Sequence, residues 1–200
     1  MKERLELKNP FDRGEIVAFL KEGKVGLFPT DTVWGICCRM DNIASVKKVF
    51  EIKNREKIKP FLILASDIAQ VQKYTNIDNS KVLKITEKYW PGPLTIILNA
   101  KKESVLSTVR AGGETIAVRI PDYDDLTSII SEVGVPLIAP SANISGENAP
   151  VYFDEIDGRI INAVDFIVQG ECKMKEPSTI IDCTQSEKRI IREGAVKFKL

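Results

Sequence analysis

Two short segments place hydroxyl and amide side chains directly after apolar runs, where a rigid backbone can present them to a ligand. In Phe28-Pro29-Thr30-Asp31-Thr32-Val33-Trp34-Gly35, Thr30, Thr32 and Trp34 alternate, so an extended backbone faces all three one way. Two hydroxyls beside an indole suit a small zwitterion or an adenine. The same residues also suit an ordinary turn closed by an aspartate or threonine hydrogen bond. In Ala139-Pro140-Ser141-Ala142-Asn143-Ile144-Ser145-Gly146, Ser141 and Asn143 repeat the two-residue spacing among small neighbours. Backbone amides, one hydroxyl and one carboxamide can converge there on phosphate oxygens, or merely cap a turn.

Cations cluster between residues 44 and 60, where Lys47, Lys48, Lys53, Arg55, Lys57 and Lys59 face only Glu51 and Glu56. Lys47 and Lys48 fall on a helical pattern and read as a solvated face. Lys53 and Arg55 come where that pattern has run out; in an extended loop both would reach one polyphosphate. Arg119 ends the apolar alternation Thr115-Ile116-Ala117-Val118, and a guanidinium there needs an anionic partner. That partner is either a structural carboxylate or a ligand's. Ser178 opens a late strand and Arg192 closes the last one, as ordinary strand-edge residues also do.

The rest of the composition narrows the chemistry. The 200-residue chain has no histidine, which removes Ser-His-Asp and Cys-His catalysis and histidine-ligated zinc. Cys37, Cys38, Cys172 and Cys183 lack C-x-x-C spacing and read as free thiols of a reducing compartment, with no metal site. Cys37 and Cys38, being adjacent, would point to opposite sides of an extended segment. There is no Walker P-loop and no G-x-G-x-x-G after a strand. Any nucleotide is therefore held by hydroxyls and cations, and catalysis works by positioning and charge neutralisation. The formal net charge is only +1, so a cationic site must be local. No apolar run is long enough to span a bilayer and the start of the chain is charged, so a cytoplasmic protein is expected.

The elements that would position these residues alternate in type. Asp12 and Glu15 form a capping-box pattern before Ile16, Val17, Phe19 and Leu20, and Gly23 is a stop. Asn42 caps a helix carrying Ile43, Val46, Val49 and Phe50. A third helix runs through Val82, Ile85 and Tyr89 and ends at Trp90-Pro91. A fourth follows Asp122, with Leu126, Ile129 and Ile130 inward, and a fifth covers about residues 154–163. Strand-type runs occupy 25–28, 61–64, 94–98, 115–119, 135–139, 166–168, 179–181 and 189–191. The pattern predicts an α/β fold around a twisted mixed sheet, with residues 1–200 as a single domain.

Taken in order, the FPTDTVWG segment, Lys53-x-Arg55, Trp90-Pro-Gly-Pro-Leu-Thr95, Thr115-Ile-Ala-Val-Arg119-Ile-Pro121, Pro140-Ser-Ala-Asn143-x-Ser-Gly146, Pro177-Ser178-Thr179 and Arg192-x-Gly194 resemble the YrdC-like family of threonylcarbamoyl-AMP synthases. Any one of these motifs is weak; their ordered spacing over about residues 10–195 is specific. The resemblance implies a YrdC-type fold with a concave ligand groove, in its short, single-domain form. It implies synthesis of threonylcarbamoyl-AMP and pyrophosphate from L-threonine, bicarbonate or CO₂, and ATP with Mg²⁺. The product would pass to the tRNA threonylcarbamoyl-transferase complex for N6-threonylcarbamoyladenosine formation, with at most weak contact to tRNA or double-stranded RNA.

By the same resemblance Lys53 and Arg55 are catalytic. ATP would meet Lys53, Arg55, Lys59, Thr115, Ser141, Asn143, Ala149 and Arg192. Threonine would meet Thr32, Leu64, Arg119, Ala139 and Ser178. Several positions depart from the usual family pattern. Trp34 stands where tyrosine is common, Lys59 where asparagine is, Leu64 where histidine is, Ala149 where serine is and Glu193 where proline is. Leu64 and Ala149 can offer only backbone or van der Waals contact. Two competing readings are a double-stranded RNA-binding module and the carbamoyl-adenylate-forming domain of hydrogenase-maturation proteins. The first is opposed by the net charge, the second by the missing cysteine pairs.

Overall fold

Apolar spacing accounts for most of the helices. The computed structural model describes residues 7–8, 12–54, 60–77 and 80–199. Helix α1 (Arg13–Lys21) buries Ile16, Val17 and Leu20 and gives way to Gly23, whose φ of 83° only glycine adopts without strain. Asp12 precedes it at φ −89°, ψ 35°, a geometry that does not aim its carboxylate at the first-turn amides, and the expected cap from its side chain is not formed. Arg13 instead anchors the start of α1 to Glu132 at 2.8 Å. In α2 (Ile43–Ile52) the Asn42 carboxamide accepts from the amides of Ala44 and Ser45. Val46, Val49 and Phe50 are buried, while Ile43, expected on the same stripe, is exposed.

Helix α3 (Ile68–Tyr74) was not legible as a periodic stripe; it is started by Asp67, which accepts from the Gln70 amide at 2.7 Å. Helix α4 (Ser80–Tyr89) ends where Pro91 would interrupt it. Helix α5 (Asp124–Val133) buries Leu126, Ile129, Ile130 and Val133 and closes on left-handed Gly134. The helix expected over 154–163 is divided. A 3₁₀ turn covers Phe153–Glu155, and α6 (Gly158–Ala163) begins afresh because Asp157 caps the Arg159 amide.

The strands are β1 (Leu7–Lys8), β2 (Gly26–Phe28), β3 (Gly35–Arg39), β4 (Leu62–Leu64), β5 (Leu94–Asn99), β6 (Thr115–Arg119), β7 (Leu137–Ile138), β8 (Phe166–Val168), β9 (Thr179–Asp182) and β10 (Arg189–Arg192). They form one ten-stranded sheet in the order β1-β8-β2-β3-β7-β4-β6-β5-β9-β10. Both kinds of pairing occur: β4 runs parallel to β6 and β5 to β9, whereas β2–β3, β3–β7, β4–β7 and β5–β6 are antiparallel. The mixed α/β sheet expected from the residue pattern is therefore present; β1 and β3 are additions to it.

The two faces of this sheet are covered unequally. On one, the register aligns Ile138, Ile63, Val118, Ile96 and Ile181 across five strands, under Val46, Val49, Val71, Val82 and Ile160 of α2, α3, α4 and α6. On the other, α1 and α5 pack over Phe28, Cys37, Leu137, Phe166 and Val168, covering β8, β2, β3 and β7. Farther along this face Leu62 packs only at the edge of that core, and Leu62, Ala117, Ile97 and Asp182, aligned across β4, β6, β5 and β9, are all only half-buried. Cys37 and Cys38 lie in the two different cores, as adjacent strand residues must.

Candidate functional site

The uncovered part of the sheet is the floor of a hollow of about 190 Å³. Leu62, Ala117 and Ile180 supply its apolar floor, and Thr95, Arg119 and Ser178 its polar one. Its walls are the two loops that sequence analysis singled out. Ser141 bridges Gly35, the Ala142 amide donates to the Trp34 carbonyl at 2.7 Å, and the Ile36 amide donates to the Pro140 carbonyl at 2.9 Å. The loops thus continue the β3–β7 pairing past the end of the strands, which fixes them against each other.

In the first wall the threonine pair closes a turn and also lines the hollow. Thr30 Oγ1 donates to the Val33 carbonyl at 2.8 Å and accepts from the Thr32 amide at 3.1 Å, which closes a turn. The same turn brings the Thr30 and Thr32 hydroxyls 3.0 Å apart at the hollow. Trp34 packs edge-on against Phe153, with ring centroids 5.4 Å apart. Asp31 is fully buried and receives Arg119 Nη1, while Arg119 Nη2 donates to Thr32 Oγ1 at 3.2 Å. The Asp122 amide also reaches Asp31, at 3.2 Å. Arg119 is therefore paired with a carboxylate of the chain and also lines the hollow. Its Nε is buried with no acceptor among the described residues, and a donor left this way invites a ligand oxygen.

The second wall is braced from beneath. The Lys53 ammonium donates to the Ser141 carbonyl, to the Asn143 carbonyl at 2.6 Å and to Asn143 Oδ1 at 3.2 Å. Ser141 Oγ donates to Asn143 Oδ1 at 2.5 Å, and Asn143 Nδ2 donates to the Glu147 carbonyl at 2.6 Å. Lys53 is not in the extended geometry expected of it. It is the helical C-cap of α2, and Asn54, at φ 47°, turns the chain immediately after. Its side chain is 2% exposed, under the loop and not in the hollow. Ser141 faces the hollow, whereas the Asn143 carboxamide is engaged inside the loop. Arg55 and Lys59 lie outside the described residues; Pro60, next along the chain, lines the hollow.

The third side belongs to β9 and β10. Ser178 shares a 2.8 Å hydrogen bond with buried Thr95, and Arg192 donates to the Ser178 carbonyl at 2.7 Å and to its hydroxyl at 3.3 Å. Gly194 is required just beyond, because a Cβ there would run into the backbone of Pro177 and Ser178. Arg192 is exposed at the rim. Loss of hydration to the protein around it, and then the charge of Arg119, lower its pKa below the usual arginine value. Two guanidinium groups thus share one hollow without a carboxylate among its described lining residues, which favours an anionic guest.

Of the remaining expected contacts, Ala139 and Ala149 line the hollow. Thr115 is half-buried on β6, paired with Asn99 and four residues from Arg119, and is not part of the lining. Leu64 is not part of the lining: its side chain is fully buried with Phe28, Leu137 and Phe166 beneath α1 and α5, which leaves only its backbone for a contact. Leu62, on the same face of β4, touches the edge of that core yet is only half-buried and reaches the hollow. Thr95 and Asp31 were not selected from sequence. A lone threonine in the apolar run Leu94–Leu98, and an acidic residue between two hydroxyls, were the available signals.

The cysteines offer no nucleophile here. Burial pushes the Cys172 thiol up to about 11, opposed in part by the Thr30 backbone N–H, and burial raises Cys37 further, opposed by Arg119. Among the described residues no group of cysteine and carboxylate side chains could hold a metal ion, and no helix is long and apolar enough to cross a membrane.

Comparison with known proteins bears on this geometry. Residues 18–194 match the Sua5/YciO/YrdC family model, described as "Telomere recombination". A relative from Methanocaldococcus jannaschii, named provisionally as a threonylcarbamoyl-AMP synthase, is 40% identical over 197 residues, covering 96% of this chain and 91% of its own. The threonylcarbamoyl-AMP synthase of Bacillus subtilis is 34% identical over 186 residues, or 91% of this chain. The chain spans only 53% of that protein. The crystal structure of P. abyssi Sua5 complexed with L-threonine has a TM-score of 0.88 at 28% identity, covering 94% of this chain and 57% of the other.

Proposed function

Because the chain belongs to the Sua5/YciO/YrdC family, we propose that it makes threonylcarbamoyl-AMP and pyrophosphate from L-threonine, bicarbonate or CO₂, and ATP. It is then a nucleotidyltransferase that feeds N6-threonylcarbamoyladenosine formation in tRNA. The observation that carries this reading is the gathering of Thr32, Arg119, Ser141, Ser178 and Arg192 around one hollow at the uncovered half of the sheet.

The threonine amine adds to the carbon of bicarbonate or CO₂, giving a carbamate, with water lost in the bicarbonate case. A carbamate oxygen then attacks the ATP α-phosphorus and pyrophosphate leaves. Such an in-line displacement needs positioning and cations on the developing charge more than a covalent partner. The Arg119 Nε and the Thr32 and Ser178 hydroxyls receive the amino acid. Arg192, the Ser141 hydroxyl and the backbone of its loop receive the phosphates. Lys53 and Asn143 hold that loop, and the Lys53 charge lies directly behind it. Arg55 and Lys59 bring further positive charge from the segment before Pro60. The hollow has room for the amino acid, with the nucleotide reaching along its open side. Mg²⁺ would come with the ATP phosphates and neutralise charge there; among the described residues the lining offers it hydroxyls, not carboxylates.

The test is pyrophosphate release with threonine, bicarbonate and ATP omitted in turn. Release should require all three, and activity that persists without threonine, or prefers serine, overturns the substrate assignment. Arg55→Ala should lower turnover by about 100-fold or more, by analogy with the loss of one transition-state donor, with an unchanged melting temperature. Near-normal turnover in that variant would remove Arg55 from the reaction.

A further inference from the structure

A second cavity, larger than the first at about 420 Å³, lies between α4, the turn joining β9 to β10, and the segment after β10. It shares no lining residue with the groove. Its floor is Ile85, Tyr89 and Phe198, with the two rings 5.5 Å apart, packed outside the core that α4 helps to form. Its rim carries Lys84, Lys88, Lys188 and Lys199 against Glu187 alone. The formal net charge of the whole chain is +1, so this is a local concentration of positive charge. Among the described residues none of the four ammonium groups is within ion-pair distance of a carboxylate; Lys88 sits 5.1 Å from the centre of the Tyr89 ring.

We infer that this bowl binds a nucleoside phosphate, at a site separate from the groove. Four ammonium groups around one hollow, with Glu187 the one carboxylate among its described lining, repel each other until an anion joins them, and several lysines match the several oxygens of a phosphate chain. An inorganic anion would leave the ring floor wet. A ligand with a planar base at one end covers Tyr89 and Phe198 while its phosphates meet the lysines, so one molecule answers both features. The cavity volume is that of a small-molecule site.

The test compares the wild-type chain with Lys84→Glu/Lys88→Glu by titration calorimetry with ADP. Both lysines are exposed on α4 and outside the lining of the hollow, so the variant should melt and turn over as the wild type does. It should lose one equivalent of bound ADP relative to wild type, or bind that equivalent at least about tenfold more weakly. Equal stoichiometry and affinity in the two proteins would overturn the site. A second variant, Phe198→Ala, should weaken ADP at this site about tenfold while leaving inorganic pyrophosphate unaffected. Equal losses for the two probes, or pyrophosphate held by wild type as tightly as ADP, would overturn the nucleoside part of the assignment.

Discussion

Strands β4, β6, β5 and β9 present one row of side chains to a helix layer and the next row to a ligand hollow. Ile63, Val118, Ile96 and Ile181 lie on the first; Leu62, Thr95, Ala117, Arg119 and Ile180 lie on the second and line the hollow. Backbone, register and neighbours are shared, so the difference comes only from what sits above each face. Where helices cover the sheet, the residues are branched and apolar, because filled volume is what stabilises that face. Where α1 and α5 stop short, Ala117 is small, Thr95 and Arg119 carry polar atoms, Leu62 and Ile180 supply the apolar remainder, and the space left over becomes usable. The contrast teaches that this site is a deliberate deficit of packing, floored by a sheet whose stability is supplied from its other side.

Arg119→Ala tests the contrast hardest, because Arg119 stands on the open face yet is tied to a fully buried aspartate. Leaving Asp31 without its partner should cost about 3–5 kcal/mol in urea unfolding, and turnover should fall with it. A stable, inactive variant would separate the structural role from the binding role. Ile63→Ala on the covered face should cost about 2–5 kcal/mol and leave turnover per folded molecule unchanged. Lost activity at full occupancy of the folded state would show that the two faces are coupled. Arg192→Ala at the rim should change stability by less than about 1 kcal/mol while raising the KM for ATP about tenfold, with partial recovery in Arg192→Lys. An unchanged KM would move the nucleotide elsewhere.

The smallest effect concerns alkaline pH. The raised pKa of Cys172 means that burial opposes thiolate formation in the folded chain. Its contribution to stability is full below the unfolded thiol value of about 8.5 and is lost as pH climbs towards about 11. Iodoacetamide at pH 8 should accordingly label Cys172 far more slowly in the folded chain than in urea, and equal rates would contradict that burial.

Elements with a repeating apolar stripe were legible in the sequence. Strands β6 and β8 have the expected bounds, and α2 starts on the expected asparagine. Strands β1 and β3 were not among the expected runs: two-residue β1 owes its existence to its distant partner β8, and β3 to its pairing with β2 and β7. The site was legible in its residue types but not in their division of labour. The environment of Lys53 is set by a loop 88 residues away, and Arg119 was open between two partners until Asp31 appeared, also 88 residues away. Leu64 and Leu62 look alike in sequence, and only the reach of α1 and α5 decides which one meets the hollow.

The stitching of the two loops has a mechanical consequence. Since Trp34, Ile36, Pro140 and Ala142 exchange main-chain hydrogen bonds, neither loop can swing out alone without leaving amides and carbonyls stranded. A guest pressing on the Thr30–Thr32 turn therefore pushes the serine loop with it, and Lys53 behind that loop feels the displacement. Amino acid and nucleotide would sense one another through a shared hinge of backbone, without any signal passing through the apolar interior.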